Sequence, residues 1–198
     1  SPNKRHDGIN IARAAYGVDN SVLETEINEK NNPVFKLESL SRMQGLDSSD
    51  AHSALTDANL TAKILSIVKK KQPSTWDMFL RTANKSDTET IFKKEEIITL
   101  VEYFYGKVRL YCCAPLHPKY CIHPIYNWGQ AVDLRIEVEP ILNMSINELK
   151  AEMKKTPKFL RTIRSNKAPI ILDAEYSIKH EPYNAMDLSL IKKRAKLV

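Results

Sequence analysis

The sequence predicts an α+β fold: a helical N-terminal part, a β-rich middle, and the start of a further helical segment. Three observations predict it. Apolar residues recur at three- and four-residue intervals as far as about Gln72, short runs of β-branched and aromatic residues follow from Leu100, and helical spacing returns after Pro182. With 198 residues, 42% hydrophobic and 27% charged, the chain is long and apolar enough for a packed core without covalent staples. That excludes a disulfide mini-protein and a globally disordered chain. No apolar run reaches about 18 residues, the least a membrane helix needs, so no membrane partner is expected.

Ile9, Ile11, Ala12, Ala15 and Tyr16 describe a first short helix, and the polar, acidic stretch 19–32 reads as a loop. Phe35, Leu37, Leu40, Met43 and Leu46 form a second amphipathic pattern that closes near Gly45. Asp47, Ser48, Ser49 and Asp50 are candidate caps for a long third helix in which Leu55, Ala58, Ala62, Leu65 and Ile67 recur. It ends in Lys69, Lys70 and Lys71, cations where the helix dipole favours them. Pro73 interrupts the pattern and sets a domain boundary near Gln72, with residues 1–71 before it. Trp76, Phe79 and Leu80 allow one more helix. In the β-rich segment, residues 72–182, strands are expected at 100–105, 108–113, 120–126 and 131–136, divided by Gly, Pro and Asn in the manner of a small antiparallel barrel. Ser145 followed by Glu148 is a capping box for the helix of Ile146, Leu149 and Met153. Strands at 159–163 and 169–172 complete the segment, and Leu188, Leu190, Ile191 and Ala195 open a last helix in residues 183–198.

Lys and Arg number 30 against 24 Asp and Glu, a net charge of +6 that is compatible with a polyanion partner through counterion release. AT-rich coding also favours Lys, so charge alone decides little. Three cysteines, two of them adjacent, argue against a disulfide framework and for a reducing compartment, by default the cytoplasm. The chain opens at Ser1 with neither an initiator Met nor a signal sequence and reads as part of a longer one.

The sharpest local signal is His52 followed by Asp57. Residues five apart on a helix are rotated by about 140°, so both side chains serve one site only if His52 lies at or before the first turn. From there an imidazole can take a proton from a metal-bound water, while Asp57 presents a carboxylate to a hard divalent cation. The surroundings sharpen this reading. Phe35, Lys36, Leu37, Glu38, Ser39, Leu40, then Gly45, Leu46, Ala51, His52 and Asp57, closely resemble the third exonuclease motif of the DnaQ-like (DEDDh) 3′–5′ exonucleases, and within them bacterial exodeoxyribonuclease I most. The resemblance extends upstream to Arg13, Ala14, Ala15 and Tyr16. Downstream it takes in Lys71, Gln72, Pro73, then Ala114, Pro115, Leu116, His117 and Pro118, then Val132, Asp133 and Leu134, and Pro140, Ile141 and Leu142.

That resemblance implies the C-terminal helical part of a ribonuclease H-like exonuclease domain, then an SH3-like β-rich domain and the start of a helical domain, around single-stranded DNA. It implies two Mg²⁺ ions held by four carboxylates. His52 matches the base and Asp57 the last metal carboxylate; Lys36 lies at the basic position near substrate, and Arg13 and Lys85 match basic positions along the DNA path. It also implies a docking partner, the acidic tail of single-stranded-DNA-binding protein, and a monomer is expected. The family's first motif, Asp, any residue, Glu, and its second, an Asp after a Phe, have no counterpart before His52. This polypeptide by itself is therefore expected to be inactive. The rival expectation is a non-catalytic module that binds single-stranded DNA or a protein tail. Asp87, Thr88 and Glu89 spell the first motif but follow Asn84, Lys85 and Ser86 rather than an apolar strand, and read as a charged surface turn in a loop.

Other clusters take plainer readings. Cys112, Cys113, His117, Cys121 and His123 lack CxxC spacing, and adjacent strand residues face opposite ways, so buried thiols are expected rather than zinc. Tyr103, Phe104, Tyr105, Tyr111, Tyr120, Tyr126 and Trp128 interleave with Lys107, Arg109 and Lys119, a pattern suited to stacking bases, although each ring singly is expected in the core. Lys154, Lys155, Lys158, Arg161, Arg164 and Lys167 form the densest basic stretch and a candidate phosphate edge.

Overall fold

The structure is a computed structural model and describes residues 6–46, 53–120 and 125–198. The chain begins with helices α1 (Gly8–Val18), α2 (Leu37–Met43) and α3 (Ala54–Lys71), then α4 (Pro73–Phe79) and α5 (Lys85–Lys94). Strands β1 (Ile98–Phe104), β2 (Lys107–Pro115) and β3 (Gly129–Asp133) follow, then α6 (Glu139–Leu142), α7 (Ile146–Glu152), β4 (Leu160–Ile163), β5 (Ile170–Asp173), α8 (Ala174–Ile178) and α9 (Leu188–Lys196). The expected α+β class is borne out. The strands form one antiparallel sheet in the order β4-β3-β2-β1-β5, and among the described residues no ladder joins its edges, β4 and β5.

Side-chain alternation gives the sheet two buried faces. Ile98, Leu100, Tyr111, Cys113, Ala131, Ile163 and Ile171 point one way and pack under Ile91 and Phe92 of α5. Ile170 and Leu172 point the other way, into a core with Ile11 of α1, Val68 of α3 and Phe79 of α4. Cys112, Ala114 and Val132 share a third cluster with Tyr183 and Ile191. A strand covered on both sides has no reason to alternate apolar with polar residues, which is why Leu110 through Ala114 is buried without a break. Gly129 is required at the closest approach of α5, because a Cβ there would collide with the Phe92 ring.

Local chemistry sets the boundaries. The β1–β2 hairpin turns through Tyr105 (φ 50°) and Gly106 (φ 78°), the two positive φ angles of a primed two-residue turn. Ser53 caps α3, its hydroxyl oxygen accepting from Thr56 N at 3.1 Å, while the expected caps at 47–50 lie outside the described residues. Pro73 opens α4 at the first turn, where its missing N–H costs no hydrogen bond. The buried Gln72 donates through Nε2 to Ala15 O at 3.1 Å, and the core around Ile11 draws residues from both sides of Gln72. The capping box of α7 forms as expected, with Ser145 N donating to Glu148 Oε2 at 2.8 Å.

Three expectations are corrected. Asp87, Thr88 and Glu89 lie in α5, not in a loop: Asp87 accepts from Asn84 N at 3.0 Å and so completes a capping box. The expected strand at 120–126 is replaced by a 3-10 turn, Pro118–Tyr120, and a turn at 125–126, with 121–124 outside the described residues. The strand expected through 136 stops at Asp133, whose carboxylate accepts from Arg135 N at 3.1 Å and bends the chain.

Candidate functional site

The N-terminal helices form one layer on which three of the expected site positions, Arg13, Lys36 and Asp57, can be traced. On α3, Leu60, Ile64 and Val68 are buried at four-residue spacing, and Asp57, three residues before Leu60 and seven before Ile64, extends that face to the N-terminal end of the helix. Asp57 is half-buried there, and its carbonyl accepts from the Thr61 hydroxyl at 2.8 Å. The α1 helix crosses close by, since a Cβ on Gly8 would stand 2.8 Å from Thr61 Cγ2. A small apolar cavity of about 80 Å³ lies between the three helices, lined by Ile9, Phe35, Leu37, Leu40, Ile64 and Leu65 among others. His52 lies outside the described residues.

The Phe, Lys, Leu, Glu segment divides by burial. Phe35 is buried and Leu37 packs against the same core, so these two anchor the entry to α2. Lys36, the residue before α2, and Glu38, in its first turn, are left exposed. Glu38 lies 3.8 Å from Arg42, which also pairs with Glu26 at 2.5 Å. Arg13 belongs to the same neighbourhood. Its guanidinium carbon lies 3.9 Å from the Tyr103 ring centroid and 5.9 Å from that of Phe35, and Phe35 meets Tyr103 edge-on at 5.6 Å. Arg13 Nη1 donates to Asn10 Oδ1 at 3.4 Å, while its buried Nε has no hydrogen-bond partner among the described residues. Burial lowers the Arg13 pKa, against opposing pulls from Tyr103 and Asp7. It stays a cation at neutral pH. Arg13, Lys36 and Asp57 are thus gathered on one helical layer. Lys85 is not: it opens α5 on the opposite face of the sheet and lies 3.7 Å from Glu89. Sequence spacing gave no sign that Tyr103 would lie under Arg13, because the contact joins the first helix to the first strand.

A second polar cluster crosses the sheet. Asp133 is fully buried, accepts from the Tyr183 hydroxyl at 2.7 Å, and lies 2.9 Å from Arg135 and 3.3 Å from Arg161. Arg161 also reaches Glu102 at 3.2 Å and lies 3.6 Å from the Tyr111 ring centroid. Burial raises the Glu102 pKa despite Arg161; the Arg161 pKa is itself raised, because Tyr111, Glu102 and Asp133 outweigh its burial. Arg161 is therefore spent inside the protein and does not serve the phosphate edge expected for the basic stretch. Of the seven aromatic residues expected singly in the core, Tyr111 is buried and Trp128 half-buried, whereas Tyr103, Phe104, Tyr105, Tyr120 and Tyr126 are exposed. Cys112 and Cys113 pack into separate cores on opposite faces, as strand alternation predicts. Burial pushes the Cys112 thiol up to about 11 and Cys113 well above its ordinary value. Cys121 and His123 lie outside the described residues.

Among the described residues no group of three or more His, Cys, Asp or Glu side chains stands ready to hold a metal ion. Asp57 is the one carboxylate on the helical layer that the resemblance makes a ligand, and one carboxylate does not fit two divalent cations.

A helical layer ending in a half-buried acid and packed on a five-stranded sheet is a fold that this chain shares with part of a solved protein: the E. coli exonuclease I complex with a dA16 oligonucleotide matches with a TM-score of 0.73 at 21% identity, over 98% of this chain and 44% of that one. The curated relatives are more particular, each being a bacterial exodeoxyribonuclease I, to which this chain is similar. That of Buchnera aphidicola subsp. Schizaphis graminum is 30% identical over 118 residues, covering 58% of this chain and 24% of that protein. That of Haemophilus influenzae is 26% identical over 189 residues, covering 87% of this chain and 39% of that protein. The chain therefore spans less than half the length of these relatives. No family model matches it. The resemblance read from the motifs is borne out.

Proposed function

We propose that these residues belong to a 3′–5′ exonuclease that hydrolyses single-stranded DNA to nucleoside monophosphates with Mg²⁺ ions. Asp57 is one metal carboxylate, His52 the general base, and Lys36 and Arg13 hold the strand, with Lys85 further along its path. The observation that carries this reading is the position of Asp57: a half-buried acid at the N-terminal end of the packed face of α3, five residues after His52, on a helix that packs against α1, the helix that carries Arg13. When bound, the cations supply charge neutralisation at the scissile phosphate. This chain's own part is to place one carboxylate, to offer an imidazole as base, and to hold phosphates with Arg13, already packed on the Tyr103 ring, and with the exposed Lys36.

We further read residues 1–71 as the nuclease part, 72–182 as the SH3-like part and 183–198 as the start of a helical part. A monomer in the cytoplasm that receives the acidic tail of single-stranded-DNA-binding protein completes the reading. The test is degradation of a 5′-labelled single-stranded oligonucleotide. A protein that joins these residues to an Asp, any residue, Glu strand should shorten it from the 3′ end, stop with EDTA, resume with Mg²⁺, and lose activity on Asp57→Asn. Digestion indifferent to Asp57→Asn overturns the assignment. The 198-residue polypeptide by itself, with one of the four carboxylates, should leave the label intact. Binding that is unaffected by EDTA, with no digestion by the joined protein, favours a non-catalytic binding module instead.

A further inference from the structure

Arg13 and Gly17 lie four residues apart on α1 and so share a face of the helix, the face turned toward the β1–β2 hairpin. A Cβ on Gly17 would stand 2.6 Å from Val108 Cγ1 and 2.9 Å from Leu110 Cδ1, so the helix rests directly on β2. Val108 is the ladder partner of Tyr103 on β1. The hairpin tip has a second seat, because a Cβ on Gly106 would collide with the side chain of Asn32. Asn32 is buried, its backbone N donates to Asn28 Oδ1 at 3.1 Å, and three residues later the same segment delivers Phe35. These contacts bring the Tyr103 ring to both Phe35 and Arg13: 5.6 Å from the first, centroid to centroid, and 3.9 Å from the guanidinium carbon of the second.

The ring orients Arg13 without neutralising it. Asn10 accepts from Arg13 Nη1 at 3.4 Å, a long hydrogen bond, and the buried Nε has no hydrogen-bond partner among the described residues. Asp7, the acid whose charge reaches Arg13, is occupied in the cap of α1, where it accepts from Ile9 N at 3.1 Å and Asn10 Nδ2 at 3.3 Å. Glu102, next to Tyr103 in β1, faces the opposite side of the strand and pairs with Arg161 at 3.2 Å. An aromatic face attracts a guanidinium through its π electrons and brings no opposing net charge, so the cation is held in place with its charge uncompensated. An aliphatic side chain of similar bulk would fill the space but exert no such attraction. Tyr103 is 37% exposed, so the contact stands at the surface and not in the interior.

We propose that Tyr103 is a positioning residue for Arg13, a side chain of the β-rich segment that sets the direction of a phosphate-holding cation in the helical layer. The inference rests on the reading that Arg13 holds a single strand; Tyr103 itself is assigned no contact with nucleic acid. The test is binding of a fluorescent dT oligonucleotide, followed by anisotropy, to the 198-residue protein and its variants. Tyr103→Phe, which keeps the ring, should retain the affinity, whereas Tyr103→Leu, which keeps apolar bulk without π electrons, should weaken it by about three-fold. In the Arg13→Gln background Tyr103→Leu should weaken binding no further, because a positioning residue then has nothing left to position. A role in stability alone would lower the urea midpoint of Tyr103→Leu and leave the affinity of the folded protein unchanged, and that result overturns the proposal. A loss of similar size that persists in the Arg13→Gln background assigns Tyr103 to the strand itself and also overturns it. Both of these outcomes leave the reading of Arg13 standing. Binding indifferent to Arg13→Gln, or no binding by the unsubstituted protein, overturns that reading and the positioning role together. A second measurement does not depend on the folding of Tyr103→Leu: the side-chain proton resonances of Arg13 should lie upfield of ordinary arginine positions in the unsubstituted protein and in Tyr103→Phe, because the ring shields protons above its face. Unshifted Arg13 protons overturn the contact and the proposal with it.

Discussion

Arg161 lies 3.6 Å from the ring centroid of Tyr111, and Arg13 lies 3.9 Å from that of Tyr103, yet the two contacts serve different ends. Arg161 is flanked by Glu102 and the buried Asp133, and its charge is satisfied inside the protein. Arg13 has an amide neighbour, Asn10, and among the described residues no ion pair. Their pKa directions follow from this: carboxylates and Tyr111 raise Arg161 above its ordinary value, whereas burial lowers Arg13. A guanidinium stacked on a ring and already paired is a structural part. One stacked and without an ion pair among the described residues is held in shape with its charge left uncompensated.

The largest expected effect comes from removing the acid that the structural arginine shares. Asp133→Ala strands Arg161, Arg135 and the Tyr183 hydroxyl, and should lower unfolding free energy by about 3–5 kcal/mol in urea denaturation. A loss below about 1 kcal/mol would mean that water or a shifted side chain replaces the carboxylate. Next, Arg161→Gln should cost about 2–3 kcal/mol of stability and Arg13→Gln less than about 1, measured in the same way. Equal costs would erase the distinction between them. Third, Arg13→Gln should weaken oligonucleotide binding several-fold and lower the magnitude of the salt slope by about 1, while Arg161→Gln acts on binding only through unfolding. The smallest effect is on pH dependence. Glu102 has its pKa raised above the ordinary 4.5 in the fold, so the folded state binds its proton more tightly than the unfolded chain. Its contribution is greatest below 4.5 and is lost as pH rises through the folded value. Glu102→Gln should therefore flatten this part of the stability profile, with urea midpoints compared at several pH values from acid to neutral; an unchanged slope would assign the titration to another group.

Much of this was legible in the sequence where a local rule governs the outcome. The pattern of Phe35, Leu37 and Leu40 anchored α2, the Ser145–Glu148 box opened α7, and Leu188 through Ala195 formed α9. Misreadings arose where a distant partner decides. The sequence of α5 has few apolar residues, and its helix depends on Ile91 and Phe92 meeting a sheet whose strands come later. The early end of β3 depends on the Asp133 side chain reaching Arg135 N. Of the site, Asp57 and Lys36 could be named from motif order alone. The ring beneath Arg13 could not, because Tyr103 reaches it only through the fold, nor could the consumption of Arg161, which needs Glu102 and Asp133 from two other strands.

The position of β5 beside β1 has a consequence for how the molecule is made. Ile170 and Leu172 share one core with Ile11, so the seat of α1 is not finished until the chain has been synthesised past residue 172. Contacts of such long sequence separation carry the loop-closure entropy that slows folding. Until β5 arrives, the outer rim of β1 offers bare amides and carbonyls to any passing strand, and a nascent or prematurely terminated polypeptide is exposed to self-association there.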